Sequence, residues 1–231
     1  MIEYIVPGNI DDRVLAKAAK LLHQGGTVAL PTDTSWSIVC SMNSREGIKR
    51  LKALSQERDE RLFTLLCSDI SQFGELCNLD NSRFRLIKRL APGPYVFILK
   101  TLLGTEKILG LRRREIGVRL PDYPVPPALI NALGSPLYGI TAKRNMATDW
   151  IDNEEDEPDD DLPVAGESSA PAALFYREEA LFDGGWELED IRGLDLVLDP
   201  GEDRNRLFST VLDLSSGEVQ ILRQGAGPWP V

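Results

Sequence analysis

Four short polar stretches carry the side chains that could do chemistry, and each lies at the end of an apolar run or within one. In the first stretch, residues 31–36, Thr32, Asp33 and Thr34 closely follow the apolar run 27–30. Threonine hydroxyls beside a carboxylate can bind a small polar ligand such as an amino acid, and they can equally bond to the backbone of a turn. The residues alone leave both interpretations open.

Two arginines define the second and third stretches. Arg58 precedes the apolar run that contains Thr64, and an arginine beside a strand can clamp a phosphate or a carboxylate. Arg119 lies inside the otherwise apolar run 116–120, so we expect its guanidinium to be partly buried or to face a pocket. A buried guanidinium needs an anionic partner, which is either an internal Asp or Glu or the carboxylate of a substrate.

The fourth stretch, residues 141–145, is a polar cluster that begins with Thr141 and contains Lys143. Neither of the common glycine-rich phosphate-binding patterns, GxxxxGK[ST] and GxGxxG, occurs in the sequence. A nucleotide, if one binds, is therefore held in another way. No side chain is an evident general base, and the sequence assigns no catalytic residue.

Length and composition exclude several classes of protein. The 231 residues are 42% hydrophobic, which suits one large domain or two small ones and is too apolar for a disordered chain. No run of about 18 uncharged apolar residues occurs, so no membrane span is expected. The single histidine, His23, argues against a multi-histidine metal site and against a Ser-His-Asp hydrolase.

The cysteines and the N-terminus both predict a cytoplasmic location. Cys40, Cys67 and Cys77 are odd in number and form no CxxC pair, which argues against a disulfide framework and a cysteine-only zinc site. The first seven residues contain no basic group and no long apolar segment, so a secretory signal is not expected.

Charge is distributed very unevenly along the chain. Residues 45–144 contain 18 basic and 10 acidic residues, a net charge of +8, whereas residues 145–231 contain 5 basic and 22 acidic residues, a net charge of −17. The basic segment can bind an anionic ligand through its summed positive potential, or it can consist of solvated helix faces. Residues 152–173, which include most of the densest acidic run, are predicted to be a mobile surface insertion.

Helical and strand patterns alternate in the first part of the sequence, and strand patterns dominate after the acidic run. Helices are predicted over residues 13–23, 44–54, 81–90 and 125–133. Strands are predicted over residues 27–30, 62–67, 95–100, 116–120, 137–141, 194–198, 210–214 and 218–223. The pattern predicts a single α/β domain over residues 1–231, with a twisted mixed sheet and flanking helices.

Several of these segments, taken in order, resemble the YrdC/YciO family, whose best-known members are threonylcarbamoyl-AMP synthases. The matching segments are residues 25–34, 63–67, 92–100, 116–121, 209–214 and 221–227. The Phe-Thr-Leu-Leu-Cys-Ser-Asp stretch that begins at Phe63 is similar to the YciO branch in particular. The resemblance implies a YrdC-like domain whose twisted sheet has a basic concave face.

The resemblance also implies a reaction. The synthases of the family are nucleotidyltransferases that convert L-threonine, bicarbonate and ATP, with Mg²⁺, into threonylcarbamoyl-AMP and pyrophosphate for the threonylcarbamoyladenosine modification of tRNA. It places threonine near Thr32, Thr34 and Arg119, and it places ATP near the residues that match the nucleotide-binding positions. Those residues are Arg58, Thr64, Thr141 and Lys143. The alternative is a non-catalytic protein that binds double-stranded RNA or tRNA.

This chain departs from the synthase pattern at two positions that would contact the nucleotide. Gln56 stands where the synthases have the lysine of Lys-x-Arg, and Lys143 stands where they have the asparagine of Ser-x-Asn. Fixed cations that stabilise a triphosphate are often worth a few kcal/mol each in the transition state, so the resemblance implies a divergent paralogue with weakened activity. Another amine as the acceptor is a third possibility.

Overall fold

A computed structural model describes residues 1–55, 63–102, 109, 114–146 and 180–229. Within these residues the chain forms one ten-stranded mixed sheet. The strands are β1 Ile2–Tyr4, β2 Val28–Pro31, β3 Trp36–Ser41, β4 Thr64–Leu66, β5 Tyr95–Lys100, β6 Glu115–Arg119, β7 Leu137–Thr141, β8 Leu196–Asp199, β9 Thr210–Asp213 and β10 Gln220–Arg223. Their order across the sheet is β1-β8-β2-β3-β7-β4-β6-β5-β9-β10, with both parallel and antiparallel neighbours.

Helices flank this sheet on both faces. They are α1 Asp12–His23, α2 Arg45–Ser55, α3 Ser71–Leu76, α4 Asn81–Leu90 and α5 Val125–Leu133, with 3-10 helices at Arg144–Met146 and Gly185–Asp190. The predicted α/β architecture is confirmed. The acidic segment 152–173 lies outside the described residues, so its predicted mobility stays a prediction.

Local sequence signals explain where several helices begin and end. Asp11 caps α1, because its carboxylate accepts a hydrogen bond of 2.8 Å from the backbone N–H of Arg13. Asp80 caps α4 in the same way. Gly134 ends α5 with a φ of 77°, a left-handed conformation that favours glycine. These caps fix the helix boundaries that the sequence predicts for α4 and α5.

Two hydrophobic clusters, one on each face of the sheet, hold the helices in place. Side chains of α1 and α5 pack with alternate residues of the sheet such as Leu30, Val39 and Leu66. On the other face, α2, α3 and α4 contribute to a larger cluster around Trp36 and Phe97. Burying a large apolar side chain contributes roughly 1.5–3 kcal/mol, so these clusters supply most of the favourable folding energy.

Five elements were missed by the sequence-based predictions: β1, β3, α3 and the two 3-10 helices at 144–146 and 185–190. In β3 all six residues are buried, so the strand lacks the polar–apolar alternation that marks a half-exposed strand. β1 is only three residues long, which is too short for a periodic pattern. None of the helices among the described residues combines the length and apolar composition that a membrane crossing needs.

Candidate functional site

Strand register brings three of the predicted site residues to the same face of the sheet. Thr64 pairs with Gly117 on β6 and with Gly139 on β7. Alternate residues of a strand point to the same face, so Arg119 shares the face of Gly117 and Thr141 shares the face of Gly139. Thr64, Arg119 and Thr141 therefore face the same side of three neighbouring strands.

Glycines lie opposite Thr64 on both neighbouring strands, so no side chain projects from the sheet at those two positions. A Cβ atom at Gly117 would lie 2.9 Å from Val96 Cγ1 and 3.2 Å from Thr64 Oγ1. A Cβ atom at Gly139 would lie 2.8 Å from Val39 Cγ1. Both distances below 3.0 Å are shorter than ordinary carbon–carbon contacts, so these positions hold no larger side chain without local movement.

The connection between β2 and β3 forms a tight turn around the side chain of Thr32. The hydroxyl of Thr32 donates to the backbone carbonyl of Ser35 at 2.7 Å and accepts from the backbone N–H groups of Thr34 and Ser35 at 3.2 and 3.3 Å. Its one proton is thus used within the turn. Thr32 was predicted to contact threonine, and the geometry gives its hydroxyl a role in shaping residues 32–35, the Thr32 loop.

Arg119 reaches the Thr32 loop from the end of β6. Its Nη2 atom donates to Asp33 Oδ1 at 2.5 Å and to Thr34 Oγ1 at 3.1 Å. The Arg119 and Asp33 side chains are only 6% and 12% exposed, so the pair is largely removed from water. Asp33 is thus the internal carboxylate that pairs with the Arg119 guanidinium.

Burial and the neighbouring charge shift the pKa of Arg119 in opposite directions. Burial lowers the pKa of the Arg119 guanidinium below its ordinary value, and the adjacent Asp33 charge opposes that shift. An arginine remains protonated at neutral pH, so the pair is a buried cation next to a carboxylate. Asp33 Oδ2 and Arg119 Nε are buried with no hydrogen-bond partner among the described residues. Buried polar atoms without a partner are uncommon in folded proteins.

Lys143 lies two residues after the end of β7, where backbone hydrogen bonds hold the chain in place. The N–H of Ala142 donates to the carbonyl of Trp36 at 2.9 Å, and the carbonyl of Lys143 accepts from Met146 at 3.0 Å. Lys143 as a whole is 5% exposed. The structure thus gives this predicted nucleotide contact a buried position at the end of the strand that carries Thr141.

The segment after the acidic insertion packs against the strands that carry the site, and sequence reasoning missed these contacts. The Trp36 indole N–H donates to the carbonyl of Asp183 at 3.1 Å, and the guanidinium of Arg144 donates to the carbonyl of Leu181 at 3.0 Å. Arg144 also pairs with Asp183 and Glu187. These contacts join β3 and the 3-10 helix after β7 to residues that lie 147 positions from Trp36 and 37 positions from Arg144, and no local pattern predicts such pairings.

One predicted nucleotide contact belongs to residues 56–62, which are not among the described residues. Arg58, predicted to contact the nucleotide, and Gln56 both lie outside the described residues. Asp33 is not among the predicted ligand contacts, although the sequence places it between the two threonines that are. Its pairing with Arg119 could be foreseen only as one of several possible carboxylates. Among the described residues, no three or more His, Cys, Asp or Glu side chains come together as a metal-binding group.

Comparison with proteins of known sequence identifies the family. Residues 20–159 match the Sua5_yciO_yrdC family model, which bears the description Telomere recombination. The chain is 32% identical over 225 residues to the uncharacterized protein YciO of Escherichia coli K12, covering 97% of this chain and 95% of that protein. It is 25% identical over 138 residues to a threonylcarbamoyl-AMP synthase of Vibrio vulnificus, covering 58% of this chain and 74% of the synthase.

Solved structures have the same fold. Escherichia coli YciO matches with a TM-score of 0.77 and 26% identity, over 100% of this chain and 98% of that one. The P. abyssi Sua5 structure complexed with L-threonine matches with a TM-score of 0.73 and 20% identity, over 97% of this chain and 57% of Sua5. From the family model, the near full-length YciO relative and the shared fold, we conclude that the chain belongs to the Sua5/YciO/YrdC family.

Proposed function

We propose that this protein is a threonylcarbamoyl-AMP synthase-like enzyme that binds L-threonine at the Thr32 loop. The observation that carries the proposal is the buried Arg119 guanidinium, which lies against Asp33 and Thr34. A buried cation beside a carboxylate and a hydroxyl offers one partner for each polar group of a hydroxy amino acid. The relatives named as synthases and the Sua5 structure complexed with L-threonine support this choice of ligand.

In the proposed complex, the threonine carboxylate binds Arg119 and its ammonium group faces Asp33. After the ammonium group releases one proton to solvent, its nitrogen bonds to the carbon of bicarbonate with loss of water, which gives a carbamate. A carbamate oxygen then bonds to the α-phosphorus of ATP, and pyrophosphate leaves. A site that holds the amino acid by both ends directs its nitrogen, and such positioning can supply much of the rate acceleration.

ATP is proposed to lie over the part of the sheet where glycines flank Thr64, and to extend toward Thr141 and Lys143. Hydroxyls and a cation there suit a phosphate chain, and Arg58 belongs to the same proposed set. Mg²⁺ is proposed to enter with ATP, held by phosphate oxygens, as is usual for this ion. Because Gln56 replaces the lysine of the Lys-x-Arg pattern, we expect a lower rate than that of a synthase that has both the lysine and the arginine.

The direct test combines two product assays on the purified protein. Pyrophosphate release and incorporation of labelled bicarbonate into an acid-labile adenylate should both depend on L-threonine. Arg119→Met should abolish both signals, whereas Arg114→Met, an exposed arginine that precedes the same strand, should leave them unchanged. Threonine-independent pyrophosphate release, or no release above the blank with all three substrates saturating, would overturn the proposal.

A second candidate is binding of tRNA or double-stranded RNA without catalysis. The observation that favours it is the exposed side of α4, where Arg85, Lys88 and Arg89 lie beside Phe84, which is 39% exposed. Arginines and lysines on one helix face bind phosphates in a salt-dependent way. Binding of duplex RNA that weakens with salt, and that Arg85→Glu and Arg89→Glu remove, would support this candidate. Binding that is absent or independent of salt would exclude it.

A further inference from the structure

We infer that Arg204 is a positioning residue that holds the Thr32 loop in its binding conformation, together with Tyr123. This inference rests on the proposed function and adds a residue from the segment between β8 and β9. Arg204 Nη2 donates to the backbone carbonyl of Thr32 at 2.8 Å. The contact joins residues that are 172 positions apart in the sequence.

Three further contacts determine where the Arg204 guanidinium lies. Its Cζ atom is 4.2 Å from the centre of the Tyr123 ring, its Nη1 donates to the Tyr123 hydroxyl at 3.3 Å, and Nη1 also pairs with Glu202 at 3.2 Å. The side chain is 12% exposed. Its own backbone N–H donates to the carbonyl of Asp183 at 2.8 Å, so the residue is fixed at both ends. A planar cation held this way can direct one N–H at a single carbonyl.

The target of that N–H is the residue on which the loop depends. The Thr32 hydroxyl organises the turn, and the turn presents Asp33 and Thr34 to Arg119. A second contact from the same segment, from the N–H of Leu207 to the carbonyl of Thr34 at 3.3 Å, braces the other end of the loop. Arg204 touches neither Asp33 nor Arg119 in any contact observed, so it acts on the site through the loop backbone.

A lysine cannot reproduce this arrangement. Its ammonium group is a single charged point that neither stacks in a plane on an aromatic ring nor presents a rigid fork of donors. Lysine can still donate one hydrogen bond to the Thr32 carbonyl. The conservative variant Arg204→Lys should therefore retain part of the positioning effect, and Arg204→Met should retain none.

The first measurement is hydrogen exchange in the ligand-free protein, because it does not depend on the proposed function. The backbone N–H groups of Thr32, Thr34 and Ser35 all donate within the turn. In Arg204→Met these amides should exchange at least about tenfold faster, with an intermediate rate in Arg204→Lys; tenfold corresponds to about 1.4 kcal/mol. The matched control is Arg206→Met, which removes an arginine 42% exposed that pairs with Asp183.

The second measurement separates positioning from a general loss of structure. In the product assay, Arg204→Met should raise the KM for L-threonine about tenfold or more and leave the KM for ATP within twofold, with lysine giving a partial effect. A variant that is merely less stable would move both constants and would also speed exchange in β5.

The outcomes distinguish the inference from the function on which it rests. If the amides of the Thr32 loop exchange at the same rate in Arg204→Met as in the wild type, the inference is overturned, whatever the enzyme assays show. Faster loop exchange in a protein that does not bind L-threonine supports the positioning role and overturns the proposed function instead. Faster exchange throughout the sheet, matched by Arg206→Met, also overturns the inference.

Discussion

Breaking the buried pair between Asp33 and Arg119 should destabilise the protein strongly. Asp33→Asn keeps the size of the side chain and removes its charge, which leaves a guanidinium that is 6% exposed without its counter-ion. Removing one partner of a buried pair typically costs 3–5 kcal/mol. Because Asp33 is 12% exposed, we expect the lower end of that range, about 3 kcal/mol.

An independent estimate gives a similar value. Opposite charges about 4 Å apart interact by roughly 4 kcal/mol at an effective dielectric constant near 20. Part of this attraction offsets the desolvation of the two groups, so Arg119→Met combined with Asp33→Asn should cost clearly less than the sum of the single substitutions. We expect a coupling free energy of at least about 2 kcal/mol.

Urea unfolding of the wild type, the two single variants and the double variant measures this coupling directly. For a chain of 150–250 residues, about 3 kcal/mol also corresponds to a fall of about 6–12 °C in Tm. The slope of the urea transition should stay unchanged, since the folded structure is retained. Additive single effects, or a coupling below about 1 kcal/mol, would refute the buried-pair account of this site.

Three other predictions concern packing and titration. Gly139→Ala should cost about 1–3 kcal/mol by urea unfolding, because the new Cβ lies 2.8 Å from Val39 Cγ1. Burial raises the pKa of the Cys40 and Cys77 thiols to about 12 from 9.0, so both should resist iodoacetamide at pH 8 until urea is added, and their contribution to stability should be lost between pH 9 and about 12. Burial alone would raise the pKa of Glu187, but hydrogen bonds from the Gly184 backbone and from an arginine side chain hold it below 4.5. The destabilisation by Glu187→Gln should therefore be present at pH 6 and shrink as the pH falls below 4.5.

The elements that the sequence predicts well are those set by nearby residues. The bounds of α4 follow from Asp80 at one end and Ala91-Pro92 at the other, and all of this information lies within thirteen residues. The strand Tyr95–Lys100 is likewise predicted from an uninterrupted run of apolar residues that lies between Pro94 and a polar residue. Such signals act through backbone geometry and capping, so they need no knowledge of the rest of the fold.

The candidate site could be predicted only in part, because its geometry depends on contacts between distant segments. The sequence shows that Arg119 needs an anion, but Asp33 is 86 positions away and many other carboxylates were available. Arg204 lies in a segment with no periodic pattern, and only the folded chain brings it to the carbonyl of Thr32. Register also decides that Thr64 and Thr141 share a face, and a shift of one residue would reverse it.

Calorimetric titration of the full chain with L-threonine and ATP in the presence of Mg²⁺ and bicarbonate tests the central claim most directly. We predict micromolar binding of ATP that becomes tighter with threonine, and loss of the threonine effect in Arg119→Met but not in Arg114→Met. No binding of either ligand under these conditions, or ATP binding that is indifferent to both threonine and Arg119, would contradict it.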